Sequence, residues 1–280
     1  MYPYIHLGTL NFDLGPLHFH GPVELGTFGL LLWLAAVCAT IVLHLNFARH
    51  KVRADALNIV ALATVAGVIG AKLWHVMETP RILFAYPAEE LLNRAGFAWF
   101  GGLLAAILVL LWQGTVRYDG KRTGPMGMLD LAAPAAAIGY GVGRIGCLLS
   151  GDGDYGIPTT LPWAVTFPHG LVPTTAYVHP TPVYEFLFAV AVAAWLWREG
   201  GKPQPVGWLT GQYLLLSGFG RFLVEFIRIN PKILWGMSNA QVAAIGSMIA
   251  GAALMVAVHG HRKLELPEKS SVAGAKPLGA

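Results

Sequence analysis

An arginine–glutamate–arginine stripe is the feature of this sequence that most clearly suggests chemistry. Arg221, Glu225 and Arg228 stand at i, i+4 and i+7 at the end of a long apolar run, so a continuous helix would place them on one face. Two guanidinium groups around one carboxylate leave a net positive charge in an apolar wall, and Arg144 in another apolar run adds a third. Guanidinium groups bind phosphate oxygens in a bidentate manner. The pattern therefore indicates a site for an anionic phospholipid.

Other polar or small residues are expected on the same side of the membrane as these arginines. A charge inside the hydrocarbon costs at least about 2.5 kcal/mol on insertion scales, so such a residue usually has a partner or a function. The residues in question are Lys72, Gly101, Gly102, the stretch 151–156, His179, Tyr184 and Glu185.

The elements that must position these residues are membrane helices. Of the 280 residues only 12% are charged and 55% are hydrophobic, whereas a soluble domain carries about 25% charged residues. Runs of the length that spans a bilayer predict an all-α, polytopic transmembrane helix bundle of about seven spans. The runs are 24–46, 56–77, 97–114, 127–149, 182–198, 206–227 and 239–258. The fourth is rich in Ala and Gly and predicts a central helix packed against protein.

The distribution of basic residues orients this predicted bundle. Lys and Arg follow the first, third, fifth and seventh runs, while the N-terminus and the loop 150–181 contain none. The positive-inside rule then predicts the N-terminus outside and the C-terminus inside. Because the Lys and Arg residues of the loops are separated by apolar runs and form no continuous basic surface, no nucleic-acid partner is expected. We expect one transmembrane domain over 1–261 and a disordered cytoplasmic tail over 262–280.

Structural roles are also open to the same residues. Arg221 and Glu225 can form a salt bridge within one helix, and Arg228 can extend to the interface as an anchor. Glu185 can cap a helix or form a structural pair, and Lys72 more often extends to the interface or pairs. The glycines can serve helix packing alone.

Two further kinds of site find less support. Cys38 and Cys147 lie in or beside apolar runs and indicate neither a disulfide framework nor a metal site. Arginine–glutamate pairs inside a membrane would suit an ion-coupled transporter, but the polar groups stop near the outer side instead of continuing to the cytoplasmic half.

The order of motifs along nearly the whole chain resembles the prolipoprotein diacylglyceryl transferases. Residues 143–156 are similar to that family's G-R-x-G-N-F-x-N-G-E-x-x-G, with one extra residue before the last glycine. Residues 161–168 and 179–185 resemble L-P-W-A-V-x-F-P and H-P-[ST]-Q-L-Y-E. Residues 220–228 are similar to F-R-x-x-V-E-F-x-R, and residues 237–241 to M-S-x-x-Q.

The resemblance implies a membrane transferase of bacterial lipoprotein biosynthesis, multi-pass in the cytoplasmic (inner) membrane, with its active site towards the outer leaflet. Such enzymes move the diacylglyceryl group of phosphatidylglycerol to the lipobox cysteine thiol of a preprolipoprotein and release glycerol phosphate. No cofactor or metal is implied, and the oligomeric state stays open. The implied catalytic residues are Arg144, Arg221 and Asp152. The implied substrate-binding residues are Gly101, Gly102, Arg144, Gly146, Gly156, His179, Tyr184, Glu185, Arg221, Glu225 and Arg228.

Four positions depart from the family pattern. Phe100 stands where well-known members often have His, Phe28 stands for a Tyr, Cys147 for the motif Asn, and Asp152 for the motif Glu. A mechanism with that His as general base cannot operate here, which makes Asp152 and His179 the candidate bases. The alternative function is a catalytically altered or inactive relative that binds a phospholipid or a lipopeptide.

Overall fold

Helices make up most of the part of the chain that the structure describes. The computed structural model describes residues 2–14, 17–86, 91 and 96–264. Its helices are α1 (Thr27–Arg49), α2 (Ala56–Glu78), α3 (Pro80–Ala85), α4 (Trp99–Thr115), α5 (Pro125–Ser150), α6 (Thr181–Glu199), α7 (Trp208–Val224) and α8 (Asn239–Leu264). Each predicted apolar run overlaps one long helix, with ends that differ by a few residues, and α3 is a short additional helix after α2. Residues 265–280 of the predicted tail lie outside the described residues.

Four of the described helices are long and apolar enough to cross a membrane: α1, α2, α5 and residues 239–259 of α8. In α1, α2 and α8 only 11% of the most apolar window is buried inside the protein, so most of their apolar side chains face outwards. Apolar surface of this extent is unfavourable in water and favourable in lipid. The protein is therefore a helical membrane protein.

The central helix is α5, as the sequence predicts. It packs against α1, α4, α6 and α7, and 44% of its most apolar window is buried. It begins at Pro125, because proline suits the first turn of a helix. It ends at Ser150 and is capped by Gly151, which has the left-handed φ of 60°. Arg144 lies in its last two turns, so the position of this arginine is fixed by the best-packed helix of the bundle.

The prediction of an all-α fold misses two antiparallel hairpins. Strands β1 (Tyr4–Leu14) and β2 (Leu17–Gly26) form one, and β3 (Val165–Phe167) and β4 (Thr174–Val178) form the other. Apart from residues 24–26 of β2, both lie outside the long apolar runs, so a search for membrane spans does not detect them. The second hairpin is close to the polar stretch 151–156, because Pro158 forms an isolated β-bridge with Val178.

The predicted helical stripe ends earlier than the sequence suggests. α7 stops at Val224, Glu225–Ile227 form one turn of 3₁₀ helix, and Arg228 is extended with φ −85° and ψ 157°. Arg228 forms an isolated antiparallel bridge with Gly156 instead of continuing the helix. The prediction that Arg228 shares one helical face with Arg221 is therefore wrong, although both side chains pair with Glu185 and Glu225.

A small core fixes the loop that follows α5. Tyr155, Phe167 and Val178 are buried together, and the rings of Tyr155 and Phe167 stack with their centroids 5.0 Å apart. The Tyr155 hydroxyl donates a hydrogen bond to the carbonyl of Val172 (3.2 Å). This packing holds the second hairpin beside the polar stretch.

Candidate functional site

Six charged side chains form one network at the end of α5, which we name the ion-pair cluster. α5 provides one of them, the loop after α5 one, the start of α6 one, and α7 with the segment after it three. The members are Arg144, Asp154, Glu185, Arg221, Glu225 and Arg228. The sequence analysis named five of these as candidates, and the structure brings all five together.

Glu185 lies at the centre of the cluster, with 4% of its side chain exposed. It accepts hydrogen bonds from Arg144, from Arg221 Nη1 at 2.8 Å and from the Tyr140 hydroxyl at 2.6 Å. Arg228 Nη1 lies 3.5 Å from its Oε2. A buried carboxylate is tolerated when it is paired and hydrogen-bonded in this way. The structure therefore shows Glu185 in ion pairs, which is the structural role that the sequence left open for it.

Glu225 links the cluster to the start of α8. It lies 3.1 Å from Arg221 Nη2, which is the salt bridge within one helical turn that the sequence analysis considered. Ser238 Oγ donates to Glu225 Oε1 at 2.9 Å. Ser238 also caps α8, since its Oγ accepts from the Gln241 N–H while Gln241 Oε1 accepts from the Ser238 N–H. This reciprocal capping box gives the M-S-x-x-Q motif a physical reason.

Asp154 is the cluster member that the sequence analysis did not single out. Its carboxylate accepts hydrogen bonds from both Arg144 and Arg228. Burial by itself would raise the pKa of Asp154, but the charges of Arg144 and Arg228 outweigh it and lower the pKa to about 2. The signal that could have found it is the extra residue in the motif, which brings a second carboxylate into a loop next to Arg144.

Asp152 lies beside the cluster rather than in it. Its Oδ1 accepts a hydrogen bond from the Asp154 N–H at 3.2 Å. Burial raises the pKa of Asp152, and the charge of Asp154 raises it further. Its carboxylate, that of Asp154 and the Cys147 sulfur lie within 4.8 Å of one another, a grouping that could hold a metal ion. Arg144 Nη1 lies 3.5 Å from the Cys147 sulfur and also contacts Asp154, and this positive charge disfavours a cation there.

His179 and Tyr184 form a hydrogen-bonded chain with Trp163. The Trp163 Nε1–H donates to the Tyr184 hydroxyl at 2.7 Å, and His179 Nδ1 lies 3.2 Å from the same hydroxyl. The main chain of His179 also accepts a hydrogen bond from the Gly156 N–H at 2.9 Å. Among the described contacts, the imidazole of His179 therefore bonds to Tyr184 and to no member of the ion-pair cluster.

Gly156 occupies a place where a side chain does not fit. A Cβ there would lie 2.5 Å from the carbonyl oxygen of Ile227 and 2.9 Å from the Cβ of His179. The Ile157 N–H donates to that Ile227 carbonyl at 2.8 Å. Gly156 therefore holds the loop against the segment before Arg228 and sets the position of the arginine.

The other three candidate glycines lie in helix–helix contacts. A Cβ on Gly101 would lie 2.3 Å from the Gly70 carbonyl oxygen of α2, and one on Gly102 would lie 3.1 Å from that of Gly67. A Cβ on Gly146 would lie 3.1 Å from the Cβ of Leu31 in α1. Close helix packing, which the sequence analysis left open as an alternative, accounts for all three.

The remaining residues that the sequence singled out are two phenylalanines and a lysine. Phe28 and Phe100 are 42% and 51% exposed, and a Cβ on Gly146 would lie 3.3 Å from the ring of Phe28. Lys72 Nζ lies 5.3 Å from the centroid of the Phe97 ring, the geometry of a cation–π contact.

The electrostatics of the cluster differ from the sequence-based expectation. Three guanidinium groups face three carboxylates, so the cluster as defined is formally neutral rather than net positive. Several buried N–H groups nevertheless have no hydrogen-bond acceptor among the described residues, namely those at Arg144 Nε, Arg228 Nε and Arg228 Nη1. Two of these donors have only long ion pairs: Arg228 Nη1 lies 3.5 Å from Glu185 Oε2, and Arg228 Nε lies 3.7 Å from Glu225 Oε2, which itself accepts no hydrogen bond from the described residues. Buried donors without a hydrogen bond are costly, so a closer acceptor would be favourable there. An oxygen-rich anion such as a phosphate meets this requirement.

Comparison with known proteins agrees with this geometry. Residues 16–257 match the family model described as prolipoprotein diacylglyceryl transferase. The chain is 30% identical over 269 residues to the phosphatidylglycerol–prolipoprotein diacylglyceryl transferase of Pseudomonas putida, covering 91% of this chain and 95% of that protein. It is 30% identical over 266 residues to the protein of the same name from Azotobacter vinelandii, covering 91% and 96%. The Leptospira interrogans protein of that name is 31% identical over 238 residues, covering 74% and 72%. This chain belongs to the prolipoprotein diacylglyceryl transferase family.

Proposed function

We propose that the protein transfers the diacylglyceryl group of phosphatidylglycerol to the lipobox cysteine thiol of preprolipoproteins, the first step of lipoprotein maturation. The observation that carries the proposal is the ion-pair cluster, in which Arg144 and Arg228 have buried N–H groups that make no hydrogen bond to the residues that the structure describes. The names of the relatives supply the substrates that fit such a site, a lipid with a phosphate and a protein to be modified.

The reaction makes demands that these side chains can meet. The peptide thiol loses its proton, its sulfur bonds to the glyceryl carbon, and the bond from that carbon to the phosphate oxygen breaks. That oxygen keeps the electron pair and leaves as part of glycerol phosphate. Guanidinium groups next to the phosphate stabilise the negative charge that develops on it. Electrostatic stabilisation of this kind is the largest contribution to catalysis in many enzymes.

The roles of individual residues follow from this scheme. Arg144, with Arg221 and Arg228 beside it, holds the phosphate of the lipid, while Glu185 and Glu225 keep the guanidinium groups in place. A free cysteine thiol has a pKa of about 8.5, so it needs a base or a positive environment to become the nucleophilic thiolate. Asp152, whose pKa is raised by burial, is the candidate base nearest the cluster, and His179 with Tyr184 is the second.

We also propose seven membrane spans, an outer N-terminus, an inner C-terminus and a site at the outer leaflet of the bacterial cytoplasmic membrane. In support, Arg144 near the end of α5, Glu185 near the start of α6 and Arg221 near the end of α7 lie at one end of three consecutive helices. Arg49 and His50, at the end of α1, contact the carbonyls of Trp197 and Gly200 at the opposite end. In intact cells, a membrane-impermeant thiol reagent should label Thr160→Cys and leave Lys121→Cys unlabelled; the reverse pattern contradicts this orientation.

A non-catalytic relative that binds a phospholipid or lipopeptide is the second candidate function. The observation that favours it is the pair Phe28 and Phe100, whose apolar side chains offer no acid or base. Complementation separates the two functions, since only a transferase restores growth to a bacterium depleted of its own enzyme.

The direct test uses purified protein in detergent with phosphatidylglycerol and a lipobox peptide, and it measures the mass of the peptide. The expected result is a gain of one diacylglyceryl group, which disappears when the cysteine of the peptide is changed to serine. No gain, with a known transferase active in a parallel reaction and several anionic lipids tried as donors, overturns the proposal.

A further inference from the structure

The loop between α5 and the second hairpin places a carboxylate where an anionic ligand would bind. The Asp154 carboxylate accepts from both Arg144 and Arg228, the two arginines whose buried N–H groups include some that make no hydrogen bond within the described part of the chain. A phosphodiester presents two negatively charged oxygens to guanidinium groups in the same manner as a carboxylate. Asp154 and a lipid phosphate therefore compete for the same two arginines.

The charge balance favours exchange over simple addition. With Asp154 in place the ion-pair cluster is formally neutral. A phosphodiester added to it would leave an unbalanced negative charge among apolar helices, which is unfavourable at low dielectric. If Asp154 moves out, the cluster gains one positive charge and the phosphodiester restores neutrality.

Asp154 is also the carboxylate best able to leave. Its side chain is 29% exposed, compared with 4% for Glu185 and 1% for Glu225. Glu185 and Glu225 have neutral partners besides the arginines, Tyr140 for the first and Ser238 for the second. Among the described residues, the Asp154 carboxylate has hydrogen bonds from the two arginines only.

The backbone around Asp154 permits such a movement. Gly151 and Gly153 precede it with φ of 60° and 92°, in the region that glycine adopts without strain. The loop is anchored on both sides, by the Gly151 N–H on the Cys147 carbonyl and by the Gly156 N–H on the His179 carbonyl. Only residues 152–154 would need to shift, because Tyr155 is fixed by its contact with Phe167. A shift of the Asp154 main chain would break the hydrogen bond that its carbonyl accepts from the Thr181 hydroxyl.

We propose that Asp154 is an internal anion that occupies the phosphate position before substrate binds and is exchanged for the lipid phosphate when substrate binds. The identity of the ligand rests on the proposed function, whereas the exchange itself rests on the geometry. Asp154 thereby determines how tightly Arg144 and Arg228 bind the phosphate. It also helps glycerol phosphate to leave, because its return displaces the product.

The test compares the protein with Asp154→Asn, Asp154→Ala and the conservative Asp154→Glu. Removing a competitor that occupies the site nine-tenths of the time lowers the apparent Kd about tenfold. We expect the Asn and Ala variants to bind phosphatidylglycerol in nanodiscs about tenfold more tightly and to be inhibited by correspondingly lower concentrations of glycerol phosphate. We expect Asp154→Glu to stay close to the native protein in both measurements. Asp119→Asn is the matched control, because it removes an exposed charge that pairs with Arg53 elsewhere.

Three ligands separate the possible sources of the phosphate. Phosphatidylglycerol, glycerol phosphate and inorganic phosphate are each measured, and diacylglycerol serves as the lipid without phosphate. A tighter site for all three phosphate ligands and an unchanged affinity for diacylglycerol support the exchange. Tighter binding of the lipid alone supports it as well and restricts the ligand to a lipid headgroup.

The outcomes that overturn the exchange are equally concrete. If folded Asp154→Asn and Asp154→Ala bind all phosphate ligands as weakly as the native protein or more weakly, Asp154 is a permanent structural ion pair. If both variants fail to fold, hydrogen exchange of the native protein decides. Phosphatidylglycerol should increase amide exchange over 152–154 relative to diacylglycerol, and equal exchange refutes the proposal. All these measurements omit the peptide, so a protein that transfers nothing still tests the exchange, and an active protein with no exchange refutes only this inference.

Discussion

Both ends of α5 bury a charged group, and they satisfy it in different ways. Near the start of the helix, the Asp130 carboxylate accepts hydrogen bonds from the Gly207 N–H at 2.6 Å, the Thr210 N–H at 2.7 Å and the Thr210 hydroxyl at 2.6 Å. These donors are neutral, and they belong to the first turn of α7, where the helix dipole also favours a negative charge. Near the end of the helix, Arg144 is bound to the carboxylates of Asp154 and Glu185, and its Nε–H makes no hydrogen bond to any residue in the described ranges.

The difference separates a structural use of charge from a functional one. Asp130 cannot change partners without opening the start of α7, and the surrounding residues Met128, Leu131 and Ala132 are buried. In the ion-pair cluster, each arginine can exchange one anionic oxygen for another without loss of charge pairing. We therefore expect substitutions at the Asp130 end to change stability and substitutions at the Arg144 end to change lipid affinity and turnover.

Arg144→Ala should give the largest effect on activity. It removes a guanidinium that contacts Asp154 and Glu185 and, in our proposal, the phosphate. Loss of one well-placed donor to a developing charge costs about 10²–10³ in turnover. Peptide mass spectrometry in the transfer assay measures it, and thermal unfolding in detergent checks that the bundle is intact. Arg144→Lys is the matched variant, since it keeps the charge and loses the bidentate geometry; near-normal turnover in the Ala variant would remove Arg144 from the mechanism.

Asp130→Ala should produce the opposite result. It leaves two main-chain N–H groups and one hydroxyl of α7 without their acceptor. We expect a loss of about 3 kcal/mol in the free energy of unfolding, because hydrogen bonds to charged groups contribute about 1.5–3 kcal/mol each and are not additive. The KM for phosphatidylglycerol should stay unchanged below the unfolding temperature. If Asp130→Ala instead raised the KM for phosphatidylglycerol without lowering the free energy of unfolding, the assignment of a structural role to the Asp130 end of α5 would be contradicted.

The pH dependence of stability should reveal the ion pairs of Asp154. Its pKa is lowered to about 2, so its pairing stabilises the protein above the ordinary pKa near 3.8 and this stabilisation is lost as the pH falls towards 2. This lowering of the Asp154 pKa corresponds to about 2 kcal/mol in the free energy of unfolding. Unfolding of the native protein and of Asp154→Asn should therefore differ most at pH 6 and converge near pH 2. A difference that is constant over this range would show that the depressed pKa is not the source.

Tyr140→Phe should have the smallest effect. It removes a single hydrogen bond of 2.6 Å to Glu185 and keeps the ring that lies against Trp99. One such bond to a charged group contributes about 1.5–3 kcal/mol, and because Glu185 keeps its arginine partners we expect the lower end of this range, a fall in kcat/KM of about tenfold. As a positioning residue, Tyr140 should affect kcat more than KM. A loss as large as that of Arg144→Ala would instead place the hydroxyl in direct contact with the substrate.

The sequence was most informative for the membrane helices and for the charged residues within them, because lipid tolerates few alternatives for either. Long apolar runs specify membrane helices, because an unpaired main-chain group in lipid is so unfavourable, and the buried charges Arg144, Glu185 and Arg221 stand out within them. The reciprocal cap of Ser238 and Gln241 could also have been inferred from its spacing.

The parts that could not be predicted depend on tertiary contacts. The end of α7 at Val224 follows from the bridge between Arg228 and Gly156, which joins residues 72 positions apart. The position of Asp154 follows from the left-handed glycines of its loop and from the small core around Tyr155. Tyr140 stands one helical turn before Arg144, so the sequence places both on one face of α5. The function of its hydroxyl becomes apparent only from the position of Glu185, which accepts its hydrogen bond.

The most direct test of the contrast between the two ends is equilibrium binding of phosphatidylglycerol and diacylglycerol to Arg228→Gln and Asp130→Asn in nanodiscs. We predict that Arg228→Gln loses the preference for the lipid with a phosphate, while Asp130→Asn keeps it and unfolds at a lower temperature. Equal lipid preference in both variants and the native protein would contradict the assignment of the phosphate to the ion-pair cluster.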